Sequence, residues 1–342
     1  MIKPAGYFLW LLLGILWFLT SCKKEEDNPQ QNTRVAMLAQ GITFDDLAFL
    51  QSCKTGLEKA KTEFGFQCTY NIDTTTSRYL EKLEYFGSIH FDLVIAVGYM
   101  WNDAVAEAAI RYPGTRFVLV DAELPEPRAN AVSILFNVDE VAYPLGYLSA
   151  WWAYSHDTLD PAVGFVGAFE IPAIRQFTEP YLNGVERFNR EYCKTVAHYG
   201  AYAGTFISSW AGGKIADSLI TLGADVMFGV GAQTGNGALR KARERGKQGI
   251  GVDVDQFASF PEVSDILLSS AMKSLDNAIY AVVRSFVGGS FSGGGIYTGN
   301  LANKGVRLAP WHDYESQIPD SVKRSIEHIK TGIIDGTIST GW

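Results

Sequence analysis

From Arg34 onward, short apolar or β-branched runs alternate with longer stretches whose apolar residues recur at helical spacing. This is the signature of βαβ units and a mostly parallel sheet. Strands are predicted at 34–39, 66–71, 92–97, 116–121 and 130–135, with helices between them near 45–64, 74–87 and 101–111. A second series has strands at 163–167, 195–200, 225–230 and 248–252, with helices near 139–155, 173–192, 210–221 and 235–245. After Asp253 the pattern resumes with a strand near 265–270 and a helix near 274–287. It breaks at the glycine-rich GGSFSGGG of 288–295, which is too permissive for an element interior. A final helix near 319–331 ends at Gly332. Two such series predict an α/β fold of two lobes, each a doubly wound, mostly parallel sheet. The simplest division gives lobe one residues 34–136 and about 257–290, and lobe two residues 137–256 and about 291–342. Interleaving of this kind creates several crossings, a device for opening and closing on a ligand.

The pattern before Arg34 is of another kind. Lys3 is a minimal basic start, an apolar run extends from Tyr7 to Leu19, and Leu19-Thr20-Ser21-Cys22 resembles the bacterial lipobox. The run is shorter than the roughly 20 residues that a spanning helix needs. Residues 1–21 are therefore expected to be an export signal, with lipidation at Cys22. The polar stretch KKEEDNPQQNT that follows reads as a tether, 22–33, holding the domain off the bilayer. CKKEED also resembles acidic export tags of surface lipoproteins, so a periplasmic face and the cell surface both remain open.

The chain has 342 residues, 47% hydrophobic and 19% charged, with a formal charge of −8. That is enough for a large core or two domains. Its charges are mixed along the chain, which argues against nucleic acid as a partner. Without Cys22, three cysteines remain, Cys53, Cys68 and Cys193, with no CxxC and no metal-ligand spacing. Cys53 and Cys68 could pair, yet Cys53 falls on an apolar helix stripe, where a buried thiol is the simpler reading. No metal site is expected.

In open α/β sheets, ligands bind beyond the carboxyl ends of the strands. The residues there are rich in Gly, Asp and aromatics, and Trp101 and Trp210 are candidate cleft aromatics. The five histidines are scattered, and neither HExxH nor GxSxG occurs. GVGAQTGNG at 229–237 follows a strand, opens a helix and precedes Asp253, close to a dinucleotide fingerprint. Thr234 stands where the third Gly would fall, however, and an exported protein rarely meets NAD, so no cofactor is expected. In the helix opened by Asp45 and Asp46, the core stripe runs Leu50, Cys53, Leu57, Ala60 and Phe64. Phe49 lies about 100° from the first member of that stripe. The pattern leaves it either on a cleft wall or on the flank of the core.

Several segments, in order, resemble the basic membrane lipoprotein family, whose best understood type is the purine nucleoside receptor, an ABC-importer lipoprotein. These are DDLAFLQS (45–52), FDLVIAVGY, YPGTRFVLVD, VGFVGAFEIPAIRQF, YAGTF, GADVMFGVGAQTGNG, IGVDVDQ and LLSSAMKSLDNAI. The resemblance implies the two-lobed periplasmic-binding-protein type I fold, with a ligand between the lobes. By this resemblance Phe49 and Phe206 sandwich a base. Asp121, Asp253 and Lys273 hold the ribose, and Gly235 or Gly237 lets backbone amides approach. The family has an Asp nine residues before the stacking Phe and an Asn just after it, both reading the purine edge. Here those positions hold Gln40 and Leu50. Gln40 can donate and accept, so a different base edge can be read; Leu50 cannot replace an amide. The implied function is a monomeric, lipid-anchored solute-binding protein, not an enzyme, delivering a nucleoside-like ligand to an ABC permease. The alternatives are a ligand sensor or surface scavenger on the same fold, or an exported nucleoside-processing enzyme, which would need a catalytic group that the strand ends do not offer.

Overall fold

The computed structural model describes residues 32–74 and 77–342. The proposed signal, Cys22 and the tether up to residue 31 lie outside them. The first lobe contains β1 (Arg34–Gln40), β2 (Gln67–Asp73), β3 (Leu93–Val97), β4 (Arg116–Val120), β5 (Ala131–Phe136) and β11 (Ile296–Gly299). They form one sheet in the order β11-β5-β4-β3-β1-β2. The second lobe contains β6 (Ala162–Gly167), β7 (Ala197–Tyr202), β8 (Ala224–Val230), β9 (Gln248–Asp253), β10 (Leu267–Lys273) and β12 (Val306–Leu308), in the order β12-β10-β9-β8-β6-β7. Every paired strand is parallel to its neighbour except β12 against β10. Central strands such as β3 (LVIAV) and β8 (ADVMFGV) are buried along their whole length, as strands covered on both faces must be.

The covering helices of the first lobe are α1 (Phe49–Phe64), α2 (Tyr79–Ser88), α3 (Asn102–Arg111) and α9 (Leu275–Val287). Those of the second are α4 (Asp139–His156), α5 (Pro172–Tyr192), α6 (Ser209–Thr221), α7 (Ala232–Glu244), α8 (Gln256–Ser259) and α10 (Asp320–Ile334). One helix pair, α4 and α5, comes unusually close at two glycines. A Cβ on Gly146 of α4 would lie 1.8 Å from the Tyr181 carbonyl of α5, and one on Gly184 would lie 1.9 Å from that of Tyr143. Among the described residues no helix is long and apolar enough to cross a membrane.

The expected return to lobe one at about residue 257 is corrected by the strand pairing. β10 hydrogen-bonds to β9, with Ser270 opposite Gly251, and therefore belongs to the second sheet. The chain crosses only after Lys273, and α9 then packs on α1. β11 pairs with β5 in the first sheet, so residues 296–299 also change lobe relative to expectation. The run LLSSAMK is buried almost throughout, which marks a strand but carries no label for the sheet it joins.

The two lobes repeat one plan. Written from the same edge, the orders are β2-β1-β3-β4-β5-β11 and β7-β6-β8-β9-β10-β12. The repeat extends to the backbone: Gly98 after β3 and Gly231 after β8 have φ of 113° and 115°, while Asp121 and Asp253, at the ends of β4 and β9, both have φ of 67°.

Candidate functional site

The carboxyl ends of both sheets face a common cleft whose empty space, mouth included, is about 900 Å³. The first lobe contributes Gln40, Asp46, Phe49, Trp101 and Asp121; the second contributes Phe177, Phe206, Gln233, Asp253 and Lys273. The lining includes no Ser, Cys, His or Arg. Most of the wall is apolar, and its charges are concentrated at one place.

That place is Lys273, the last residue of β10. Its Nζ donates to both Asp121 oxygens at 2.8 and 2.9 Å and lies 3.5 Å from Asp253 Oδ1. The ammonium also lies 5.1 Å from the Phe49 ring centroid and 5.0 Å from that of Phe177, within cation–π range. Lys273 is 4% exposed and Asp253 6%. Burial opposes the Lys273 charge, but Asp121 and Asp253 outweigh it and hold the ammonium above its ordinary value. Burial likewise pushes Asp253 up to about 6, against the pull of Lys273 and with the help of the Asp121 and Asp46 charges. Asp and Asn tolerate the left-handed backbone at the ends of β4 and β9 better than most residues.

The loop between β1 and α1 lines the cleft through Ile42, Thr43 and Asp46. The helix starts at Phe49, four residues later than the sequence suggests. The buried Asp46 carboxylate explains this, since it accepts from the backbone N–H groups of Ala48, Leu50 and Gln51, each at 3.1 Å. Those are donors that helical hydrogen bonding would leave unpaired at a helix start. Phe49 is thereby set on the cleft wall, half-buried and in contact with the core, which combines both of its expected positions. Leu50 also lines the cleft and packs into the core. The same loop reaches the second lobe: Asn236 Nδ2 donates to the Asp46 carbonyl at 3.1 Å, and Ser259 Oγ to that of Leu47 at 2.6 Å.

Sequence reasoning therefore placed Gln40, Phe49, Trp101, Asp121, Phe206, Asp253 and Lys273 in one cleft, where the structure also brings them together. Three expected residues stand elsewhere. Gly235 and Gly237 are not on the cleft wall; a Cβ on Gly235 would meet the Gly229 backbone at 2.8 Å, and one on Gly237 the Ser209 carbonyl at 2.0 Å. They let α7 press against β8 and α6. In that segment the glycine that turns beside the cleft is Gly231, as Gly98 does in the first lobe. Trp210 is 74% exposed, with the Lys214 ammonium 5.0 Å from its ring. Not expected in the site was the start of α5, where Ile171, Ala173, Ile174 and Phe177 complete the wall; the family-like segment VGFVGAFEIPAIRQF contains all four, and its place after β6 was the available signal. Cys53, Cys68 and Cys193 are free thiols. Among the described residues no group of His, Cys, Asp or Glu is arranged to hold a metal ion.

Two repeated α/β lobes around a cleft lined by aromatics from both lobes and a buried charge cluster define a solute-binding protein of the type I periplasmic fold. The chain belongs to the Bmp family, described as ABC transporter substrate-binding protein PnrA-like, whose profile matches residues 32–340. An uncharacterized lipoprotein of Pyrococcus horikoshii is 30% identical over 272 residues, 78% of this chain, and this chain spans 64% of that relative's length. Basic membrane protein A2 of Borrelia garinii is 26% identical, covering 96% of this chain and 94% of its own. Among solved structures, an ABC transporter system solute-binding protein from Aeropyrum pernix superposes with a TM-score of 0.84 at 26% identity, covering 90% of this chain and 92% of its own. Both the family and the Aeropyrum pernix structure are described as substrate- or solute-binding proteins of ABC transporters.

Proposed function

We propose that the protein binds a nucleoside-like ligand by closing its lobes on it, and delivers the ligand to an ABC importer from a lipid anchor at Cys22 in the cell envelope. The observation that carries this reading is the pairing of Phe49 and Phe206, one from each lobe, with the Asp121–Lys273–Asp253 cluster in one cleft. Aromatic rings suit a flat base, and such stacking is worth roughly 1–3 kcal/mol per base. Carboxylates accept from the vicinal hydroxyls of a sugar, and an ammonium donates to ring or hydroxyl oxygen. The charge balance argues for a nucleoside over a nucleotide. Among the described residues Lys273 is the sole cation lining the cleft, it is already committed to two carboxylates, and Asp46 adds a third. A phosphate would meet more negative charge than positive.

Isothermal titration of the full-length chain in detergent, against nucleosides, their 5′-monophosphates, free bases and free sugars, tests this. Nucleosides are expected to bind, with monophosphates at least roughly tenfold weaker, since like charges in a buried site cost more than one hydrogen bond returns. Binding of free sugars alone, or turnover of nucleoside to base, would overturn the reading.

A further inference from the structure

Gln40 ends β1 on the cleft wall, and its Oε1 accepts a 2.7 Å hydrogen bond from the Tyr79 hydroxyl. Tyr79 stands in the first turn of α2, behind the wall, with its ring 4.6 Å from the Trp101 indole. Burial and the Asp73 charge push its phenol up to about 12, so the proton it donates is retained at neutral pH. Trp101 lines the same wall, is 1% exposed, and its Nε1–H has no hydrogen-bond partner. A buried donor left unmade is costly, and native structures rarely leave one without a use.

A carboxamide has one accepting and one donating end, and an indole only donates. With the Gln40 acceptor occupied by Tyr79, this patch of three touching side chains has two N–H groups to offer, Gln40 Nε2 and Trp101 Nε1. We propose that Gln40, fixed by Tyr79, acts with Trp101 to select ligands whose base edge presents acceptors, so that oxo-bases bind in preference to amino-bases. This rests on the nucleoside reading above and specifies its ligand class. Gln40 and Trp101 are the specificity-determining residues; Tyr79 is a positioning residue that acts through Gln40.

Inosine against adenosine and uridine against cytidine are the matched probes, because each pair exchanges an oxo acceptor for an amino donor at one exocyclic position, the adjoining ring nitrogen changing from donor to acceptor in the amino partner. In titrations of the full-length protein, inosine and uridine are expected to bind at least tenfold more tightly than their amino partners, the discrimination that a well-placed donor pair gives. Tyr79→Phe keeps the ring against Trp101 but releases the Gln40 acceptor. It should leave inosine binding within a few fold while lowering the inosine-to-adenosine ratio to about threefold or less. Gln40→Glu should reverse the preference towards adenosine. Equal or tighter binding of adenosine by the unaltered protein overturns this inference while leaving the nucleoside reading intact, and an unchanged ratio in Tyr79→Phe overturns the part given to Tyr79. If none of the four nucleosides binds, the nucleoside reading itself has failed.

Discussion

Asp253 offers the sharpest test at the scale of a single residue. Its ordinary value is 3.8, and burial raises it to about 6 in the folded protein. Between those values the native state holds a proton that the unfolded chain releases, so this group's contribution to stability falls as pH rises from about 4 to about 6. Ligand binding should run the other way. A carboxylate accepts hydroxyl hydrogens more strongly once ionised, so nucleoside affinity is expected to rise between pH 5 and 7 and level off above. Asp253→Asn should flatten the profile and weaken binding by roughly tenfold or more, the worth of a hydrogen bond to a charged group. Titrations at several pH values check this; a profile equally steep in Asp253→Asn would assign the proton to another group.

Elements, more than residues, show what the sequence could and could not disclose. Helix and strand periods located β1 to β10 and every helix but α8, because burial on one face or both forces them. β11 and β12 went unseen, with four and three residues each, too few for a period to register. The misplacement of β10 had a different cause, since hydrophobic spacing reports burial and not the neighbour that supplies it. In the site, Phe49, Asp121 and Lys273 were legible from matching motifs at strand ends, whereas the apolar residues at the start of α5, although inside the family-like segment VGFVGAFEIPAIRQF, look like ordinary core residues. Gly235 and Gly237 misled because a glycine needed by a helix–helix contact looks the same in sequence as one needed by a ligand. That distinction is measurable. Gly237→Ala should destabilise the fold by roughly 1–3 kcal/mol, as overpacking does, because its Cβ would meet the Ser209 carbonyl of α6. Thermal unfolding should record the loss, while the nucleoside affinity of the folded variant stays within about threefold. A stable variant with lost affinity would return Gly237 to the binding site.

For the whole molecule, the contacts from Asn236 and Ser259 to the loop of Asp46 and Leu47 join one lobe to the other. Leu47 also packs against the second lobe's outer cluster. If closure delivers the ligand, these contacts belong to the closed state and shift the balance between open and closed. Ser259→Ala removes a 2.6 Å hydrogen bond worth about 0.5–1.5 kcal/mol. Nucleoside affinity should fall by about two- to tenfold, and small-angle scattering should show a larger ligand-free radius that returns to the wild-type value at saturation. An unchanged radius and affinity would mean that Ser259 plays no part in closure.

The repeat of the two lobes has one more consequence. A cleft built from two copies of one plan brings matching strand ends to it from both lobes, Asp121 with Asp253 and Gly98 with Gly231. Such a place has no inherent head or tail. Polarity can enter only where the copies differ, and they differ at corresponding strand ends: β5 stops at Phe136, and β10 at Lys273. β1 ends at Gln40, and β6 at Gly167. A guest would therefore learn which way round to lie from the few positions where the copies have diverged.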